Sequence, residues 1–183
     1  MPFRSCCCYN TAVLSSDAIA LVRQTHPKIL EGDVLRDNPQ YREPEDFVGD
    51  LDRLPLAPPP QPTAMMRILP TELHVVRAFV ADQAKRCGLS ADALHNLLVA
   101  VTEVATNAIR HGDAPVTLRT WPDDGLICEI TDSGNWQPEE FISWQPPESA
   151  VDSGFGLWGV GMLCDTVQVR TGSNGTTVRL RSA

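Results

Sequence analysis

SADALHNLLVAVTEVATNAIRHG, residues 90–112, is the stretch on which the fold turns. Leu94, Leu97, Leu98, Val101, Val104, Ala105 and Ala108 recur at about 3.6-residue spacing, the mark of a helix with one buried stripe. Ser90 stands where an N-cap belongs, and Gly112 stops the helix. Glu103 interrupts the apolar run. Asn107 follows one turn later and His111 one turn after that, so all three leave the core stripe on a common side.

Working outward, Pro70-Thr71 starts a preceding helix with Thr71 as its cap. Val75, Val76, Phe79, Val80 and Ala84 form its apolar face, and Gly88 ends it. Met65–Leu69 reads as a strand before it. After Gly112, Pro115–Trp121 and Leu126–Thr131 read as strands joined by the turn Asp123-Asp124-Gly125. Asn135–Ser153 is a loop, Leu157–Cys164 a short helix, and Thr166–Thr171 with Thr176–Arg181 a second hairpin. Strands joined by tight turns are antiparallel. The helices must then cover one face of the sheet, which predicts an α+β two-layer sandwich with a mainly antiparallel sheet.

Residues 51–63, LDRLPLAPPPQPT, form a proline-rich linker that favours an extended, semi-rigid chain. A compact unit of helices and strands is expected over 64–183. Residues 1–50 carry a strand (Phe3–Tyr9), a helix (Ser16–Thr25) capped by Ser15 or Ser16, and a polar segment with a short helix near Glu43–Val48. Elements so few cannot close a core of their own.

The formal charge of −8 argues against nucleic acid as partner, since no basic block is present to neutralise phosphates. No apolar run is long enough to span a bilayer and no signal-peptide stretch opens the chain, so the cytoplasm is the default. The six cysteines show neither a disulfide framework nor zinc spacing. Cys6, Cys7 and Cys8 read as small buried hydrophobes on a strand, with metal or redox sensing as the alternative.

Three further features carry chemistry. An Asn carbonyl such as that of Asn107 is a hard oxygen ligand suited to magnesium, which keeps waters and phosphates as its other ligands. A carboxylate nearby, Glu103, can deprotonate a hydroxyl attacking a γ-phosphate. Asp132 follows an apolar strand. Its ionised carboxylate only accepts hydrogen bonds, so it suits the exocyclic amine of adenine, and Gly134 lets the backbone approach the ring. Gly154-Phe155-Gly156 precedes a helix, where backbone donors and the helix N-terminus favour phosphate. Taken singly, these are a solvated polar face, an ordinary turn and a flexible loop end. Taken in order, they look like a magnesium-nucleotide site.

Together these segments resemble the GHKL ATPase superfamily, and within it the anti-sigma factor serine kinases of the RsbW and SpoIIAB type, over about Met65 to Arg181. Glu103 to Gly112 matches the family's N box, Asp132-Ser133-Gly134 its adenine box, Gly154-Phe155-Gly156-Leu157-Trp158 its glycine box, and Gly175-Thr176-Thr177 its terminal strand. The resemblance implies the Bergerat ATPase fold with ATP and Mg2+ as cofactors. It implies Asn107 as metal ligand, Glu103 as catalytic base, Asp132 and Gly134 at the adenine and Thr177 supporting that end. Gly154, Gly156 and Leu157 would meet the phosphates, with Arg110 and His111 nearby. Gly159 and Gly161 depart from the bulkier helix residues the family leads one to expect.

Residues 1–50 resemble, more weakly, the closing segment of a MEDS sensory domain, through Cys8-Tyr9-Asn10-Thr11, Arg23 to Pro27 and Asn38 to Pro44. Such domains precede anti-sigma ATPase domains in RsbA-type regulators. The implied function is an ATP-binding anti-sigma regulator, a protein serine kinase that sequesters a sigma factor and phosphorylates an anti-anti-sigma antagonist, with a homodimer left open. The alternatives are a nucleotide-gated binding module without phosphotransfer and a histidine-kinase-type catalytic domain. No long helical hairpin bearing a phospho-accepting His precedes the ATPase unit, and His74 and His95 lie inside its own helices.

Overall fold

The computed structural model describes residues 9–43, 46, 55–60, 64–134, 156–172 and 175–183. Two compact units divide the chain, Met1–Leu51 and Asp52–Ala183. Cys6, Cys7 and Cys8 lie outside the described residues, as does all of the expected strand Phe3–Tyr9 except Tyr9. The short helix expected near Glu43–Val48 also falls largely outside them.

In the first unit, α1 (Ser16–Thr25) is capped by Ser15, whose Oγ accepts from the Ala18 backbone N–H at 3.2 Å. A hairpin follows, β1 (Lys28–Glu31) and β2 (Val34–Asp37), with Lys28 paired to Asp37 and Gly32 at φ 61° in the turn. The sequence reading had only a polar segment here. Leu30, Val34 and Leu35 are exposed, so no inside–outside alternation marks the strands. Buried Asn38 ties the hairpin to the helix: its side-chain amide donates to the Arg23 and His26 carbonyls, and its backbone N–H to Pro27 O.

The second unit runs β3 (Ala64–Ile68), α2 (Leu73–Arg86), α3 (Ala91–His111), β4 (Val116–Pro122), β5 (Leu126–Asp132), α4 (Gly156–Leu163), β6 (Thr166–Gly172) and β7 (Gly175–Ser182). Its five strands lie in the order β3-β4-β5-β7-β6, every neighbouring pair antiparallel. This is the α+β sandwich expected from the pattern. Along β4, β5 and β7 alternate side chains point to opposite faces. Leu118, Leu126, Cys128, Ile130, Val178 and Leu180 face the helices and join Val76, Val80, Leu97, Val101 and Val104 in one core.

Ser90 caps α3 as read, its Oγ accepting from Ala93 N at 3.2 Å. Thr71 does not cap α2. The helix opens at Leu73, and Glu72 holds the cap position with no side-chain bond, because a turn closed by Glu72 N donating to Leu69 O takes Thr71 out of line. In the β4–β5 turn, Asp124 (φ 45°) and Gly125 (φ 120°) both adopt positive φ. A Cβ on Gly125 would sit 2.3 Å from Ser182 O, so only glycine fits. Cys87, Cys128 and Cys164 are free thiols. Burial pushes the Cys128 thiol up, and that of Cys164 up to about 12, so both stay protonated at neutral pH.

Candidate functional site

The site grows from the C-terminal end of β5. Asp132 is the last residue of that strand and faces the helix side, paired across the ladder with Thr176 of β7. It is only 6% exposed. Its Oδ1 accepts from the Gly134 backbone N–H at 2.8 Å, an Asx turn that fixes the carboxylate. Burial raises the carboxyl above its ordinary value and the charge of Asp113 adds to this. The backbone N–H groups of Gly134, Thr176 and Asp113 oppose it.

Three glycines close around this carboxylate. A Cβ on Gly112 would lie 2.5 Å from Asp132 Cγ, and one on Gly175 would lie 1.9 Å from Asp132 O. A Cβ on Gly134 would meet Gly112 Cα at 2.8 Å and Asp113 N at 2.9 Å. Thus the helix stop, the turn and the start of β7 pack backbone to backbone, with Ser133 N donating to Asp113 O at 2.9 Å. The sequence reading took Gly112 as a helix terminator. A close approach of this kind has no local signature beyond the glycine itself.

Thr176 is the residue that sequence reasoning missed. Its Oγ1 is buried without a hydrogen-bond partner among the described residues, on the same face as Asp132. Thr177, the residue named from the sequence, points to the opposite face, where its Oγ1 lies 3.3 Å from that of Thr131. The period of two along a strand separates the two hydroxyls completely. Thr176 therefore shares the face of Asp132, and Thr177 does not.

Gly112 connects this end to α3. At about 1.5 Å of rise per residue, Asn107 lies about 7.5 Å and Glu103 about 13.5 Å back along the helix axis from Gly112. Asn107 is half-buried, whereas Glu103, Arg110 and His111 are exposed. Asn107 and Glu103 are one turn apart and share a side of the helix. The helix α4, which opens with Gly156 (φ 45°) and Leu157, packs chiefly on α3. Gly154 lies outside the described residues. Gly159, one of the two departures noted in the sequence, is buried.

An ionised carboxylate that only accepts, on the same face as an orphaned hydroxyl and beside closely packed glycine backbone, offers the hydrogen-bonding groups that a flat, nitrogen-rich ring needs. Among the described residues no three His, Cys, Asp or Glu side chains converge on one point. A cation here would draw most of its ligands from water and a bound phosphate, which is magnesium's habit.

Residues 66–182 match the family model described as Histidine kinase-like ATPase domain. The chain belongs to this family. The histidine kinase-like ATPase domain thus takes in every strand and helix of the second unit except the first residues of β3. Serine-protein kinase RsbW of Bacillus velezensis is 28% identical over 125 residues, which cover 61% of this chain and 78% of that protein. The crystal structure of the RsbU and RsbW domains of Rv1364c from Mycobacterium tuberculosis matches at 19% identity and a TM-score of 0.49, over 67% of this chain and 33% of that one. The histidine kinase domain from Erythrobacter litoralis EL346 blue-light activated histidine kinase matches at 22% identity and a TM-score of 0.40, over 59% and 57% of the two chains. The chain therefore spans only part of both solved structures. No helix among the described residues is long and apolar enough to cross a membrane.

Proposed function

We propose that the second unit, read as the domain 64–183 behind the linker 51–63, binds ATP with Mg2+ and serves as an anti-sigma regulatory serine kinase of the cytoplasm. The observation that carries the nucleotide reading is the buried Asp132 carboxylate paired with the orphaned Thr176 hydroxyl inside the glycine cradle. Similarity to Serine-protein kinase RsbW supports the kinase reading.

In this reading Asp132 accepts a hydrogen bond from the exocyclic amine of adenine, and Thr176 supplies the donor or acceptor that a ring nitrogen or a bridging water needs. Gly134 admits the ring edge. Asn107 offers its carbonyl oxygen to the cation. Gly156 and Leu157 open a helix toward the phosphates, Gly154 is assigned to them from the sequence, and Arg110 and His111 at the exposed end of α3 are available to them. Magnesium, when bound, neutralises charge on the phosphates. Glu103 takes the proton from the serine hydroxyl that attacks the γ-phosphoryl group. Its exposed position leaves room for a protein substrate to reach it. The partners in this reading are a sigma factor held inactive and an anti-anti-sigma protein that receives the phosphate, with the ATPase unit free to self-associate as a homodimer. Residues 1–50 are read as a partial MEDS-like segment.

The deciding experiment is calorimetry of ATP with and without magnesium, followed by transfer of labelled phosphate to a candidate antagonist. Magnesium-dependent binding with transfer to a serine supports the kinase. Binding without transfer to any co-encoded antagonist reduces the function to a nucleotide-gated binding module. No nucleotide binding at all refutes both.

A further inference from the structure

Residues 55–60 belong to the second unit and run as chain outside any helix or strand. Pro55, Pro58, Pro59 and Pro60 have no N–H to give a neighbouring strand, which rules out a ladder. Burial along the segment is nevertheless patterned. Leu56 and Pro59 are half-buried, whereas Pro55, Ala57, Pro58 and Pro60 are exposed. A spacing of three is the repeat of the polyproline II helix, which puts residues i and i+3 on one face. The segment is thus one-sided, with Leu56 and Pro59 as its inward positions. A linker that merely spanned two units through water would carry no such period.

What the segment meets is the sheet face turned away from the helices. Strand alternation puts Arg119 and Trp121 of β4, Glu129 of β5, and Thr177 and Arg179 of β7 on that face. Arg179 Nη2 donates to the Ala57 carbonyl at 2.8 Å. This donor is held in place from two other sides. Its guanidinium lies 5.0 Å from the Trp121 ring centre, and it is paired with buried Glu129, which also holds Arg119. A polyproline II chain makes no internal hydrogen bonds, so its carbonyls are open to such a donor. Proline-rich segments dock on domains in this manner, with apolar side chains seated every third residue beside an aromatic ring. The segment does not fill the face. A cleft of about 720 Å³ is lined by Pro55–Pro59 on one side and by Arg119, Glu129 and Thr177 on the other.

We propose that this outer face is a recognition groove for a polyproline II segment of the pattern Leu-x-x-Pro, occupied in cis by residues 55–59 and open to the same pattern on another protein when that strap is displaced. The strap keeps its place by proximity. Its tether is short, and a short tether gives an effective concentration in the millimolar range. One hydrogen bond and two half-buried side chains then hold it against a competitor of similar chemistry. Loss of the two anchors, or a segment that fills the cleft better, opens the groove. The site is independent of the nucleotide reading, since Asp132 and Thr176 lie on the other face.

The test is calorimetry on the full chain with a synthetic peptide of the strap, LPLAPPPQ, as probe. It is titrated into wild type, into the double variant Leu56→Ser with Pro59→Ser, and into that double variant with Arg179→Lys added. Melting curves verify that each is folded. A second peptide, with serine at both anchor positions, is the control and decides the matter even where Arg179→Lys fails to fold. The expected result is saturable one-to-one binding of LPLAPPPQ to the double variant, in the millimolar range or tighter. Wild type should bind it about tenfold or more weakly, because the tethered strap competes. Arg179→Lys and the serine peptide should each weaken it by about tenfold, the equivalent of one hydrogen bond to a charged group or one buried anchor. Nuclear magnetic relaxation gives the second readout: backbone order parameters at residues 56 and 57 should be near about 0.85 in wild type and below about 0.6 in the double variant. No saturable binding to the double variant overturns the proposal. So does equal binding to wild type, equal binding of the serine peptide, binding that survives a folded Arg179→Lys, or a wild-type strap with order parameters below about 0.6.

Discussion

Gly112→Ala puts the adenine assignment under direct strain. Gly112 has φ −90° and ψ −178°, a conformation open to any residue, so the whole effect of the substitution is steric. The new Cβ would lie 2.5 Å from Asp132 Cγ, 2.7 Å from Asp132 Oδ1 and 2.6 Å from Ala108 O. The helix carbonyl cannot yield easily, because Gly112 N already donates to it at 3.1 Å. The carboxylate is pinned from the other side by Gly134 N. It must rotate or withdraw, and then it no longer meets the adenine amine. Losing one hydrogen bond to a charged group costs about 1.5–3 kcal/mol, or roughly a 10- to 150-fold weaker affinity for ATP. Overpacking should cost a further 1–3 kcal/mol or so of stability, seen as a fall of several degrees in Tm. Calorimetry with ATP and thermal melting measure the two effects separately. A folded Gly112→Ala protein that binds ATP as tightly as wild type would refute the reasoning, because the base reader could not have kept its place.

Asp132→Asn should weaken ATP yet raise the melting temperature of the ligand-free protein at neutral pH. Burial holds the carboxyl above its ordinary 3.8, so the fold loses stability as pH rises from there through the raised value. The neutral amide avoids that loss, and the gap between the variants should close as pH falls toward 3.8; a variant that melts lower at neutral pH would contradict this. Glu129→Ala leaves two guanidinium groups without their carboxylate and should cost about 3–5 kcal/mol in urea unfolding, whereas a loss below about 0.5 kcal/mol would mean that water already satisfies them. Glu103→Ala should slow phosphotransfer about a hundred- to ten-thousand-fold while ATP affinity holds, and an unchanged rate removes Glu103 from the mechanism. Asn107→Ala should abolish the magnesium dependence of binding, and equal dependence in wild type and variant excludes it as the metal ligand.

Much of this architecture is written in periodicity. The stripe from Leu97 to Ala108, its Ser90 cap and its Gly112 stop define α3 without reference to anything distant. What periodicity does not carry is pairing. β5 lies beside β7, beyond an entire helix and strand, and only that register distinguishes Thr176 from Thr177. Glu129 reads as one polar residue in an apolar strand, because its partners lie 10 and 50 residues away. The hairpin Lys28–Asp37 escapes notice for the opposite reason: it buries almost nothing, so no alternation was imposed on it. Asp132 and Asn107 stand out as candidates because their chemistry is unusual where they stand, one closing an apolar strand and the other set in an apolar helix.

The placement of β7 has a consequence for the birth of the molecule on the ribosome. Strands β4 and β5 can zip on as they emerge, β4 against β3 and β5 against β4. β6 emerges next with no neighbour to receive it, since among the described residues its one partner in the sheet is the strand still to come. Until β7 slots between β5 and β6, Asp132 has no Thr176 opposite and the Gly175 wall of its cradle is missing. A growing chain therefore lacks the complete glycine cradle around Asp132, and its central strand β5 keeps a raw edge. The interval during which that edge stays open is the period in which the nascent protein is most exposed to mispairing with its neighbours on the same message.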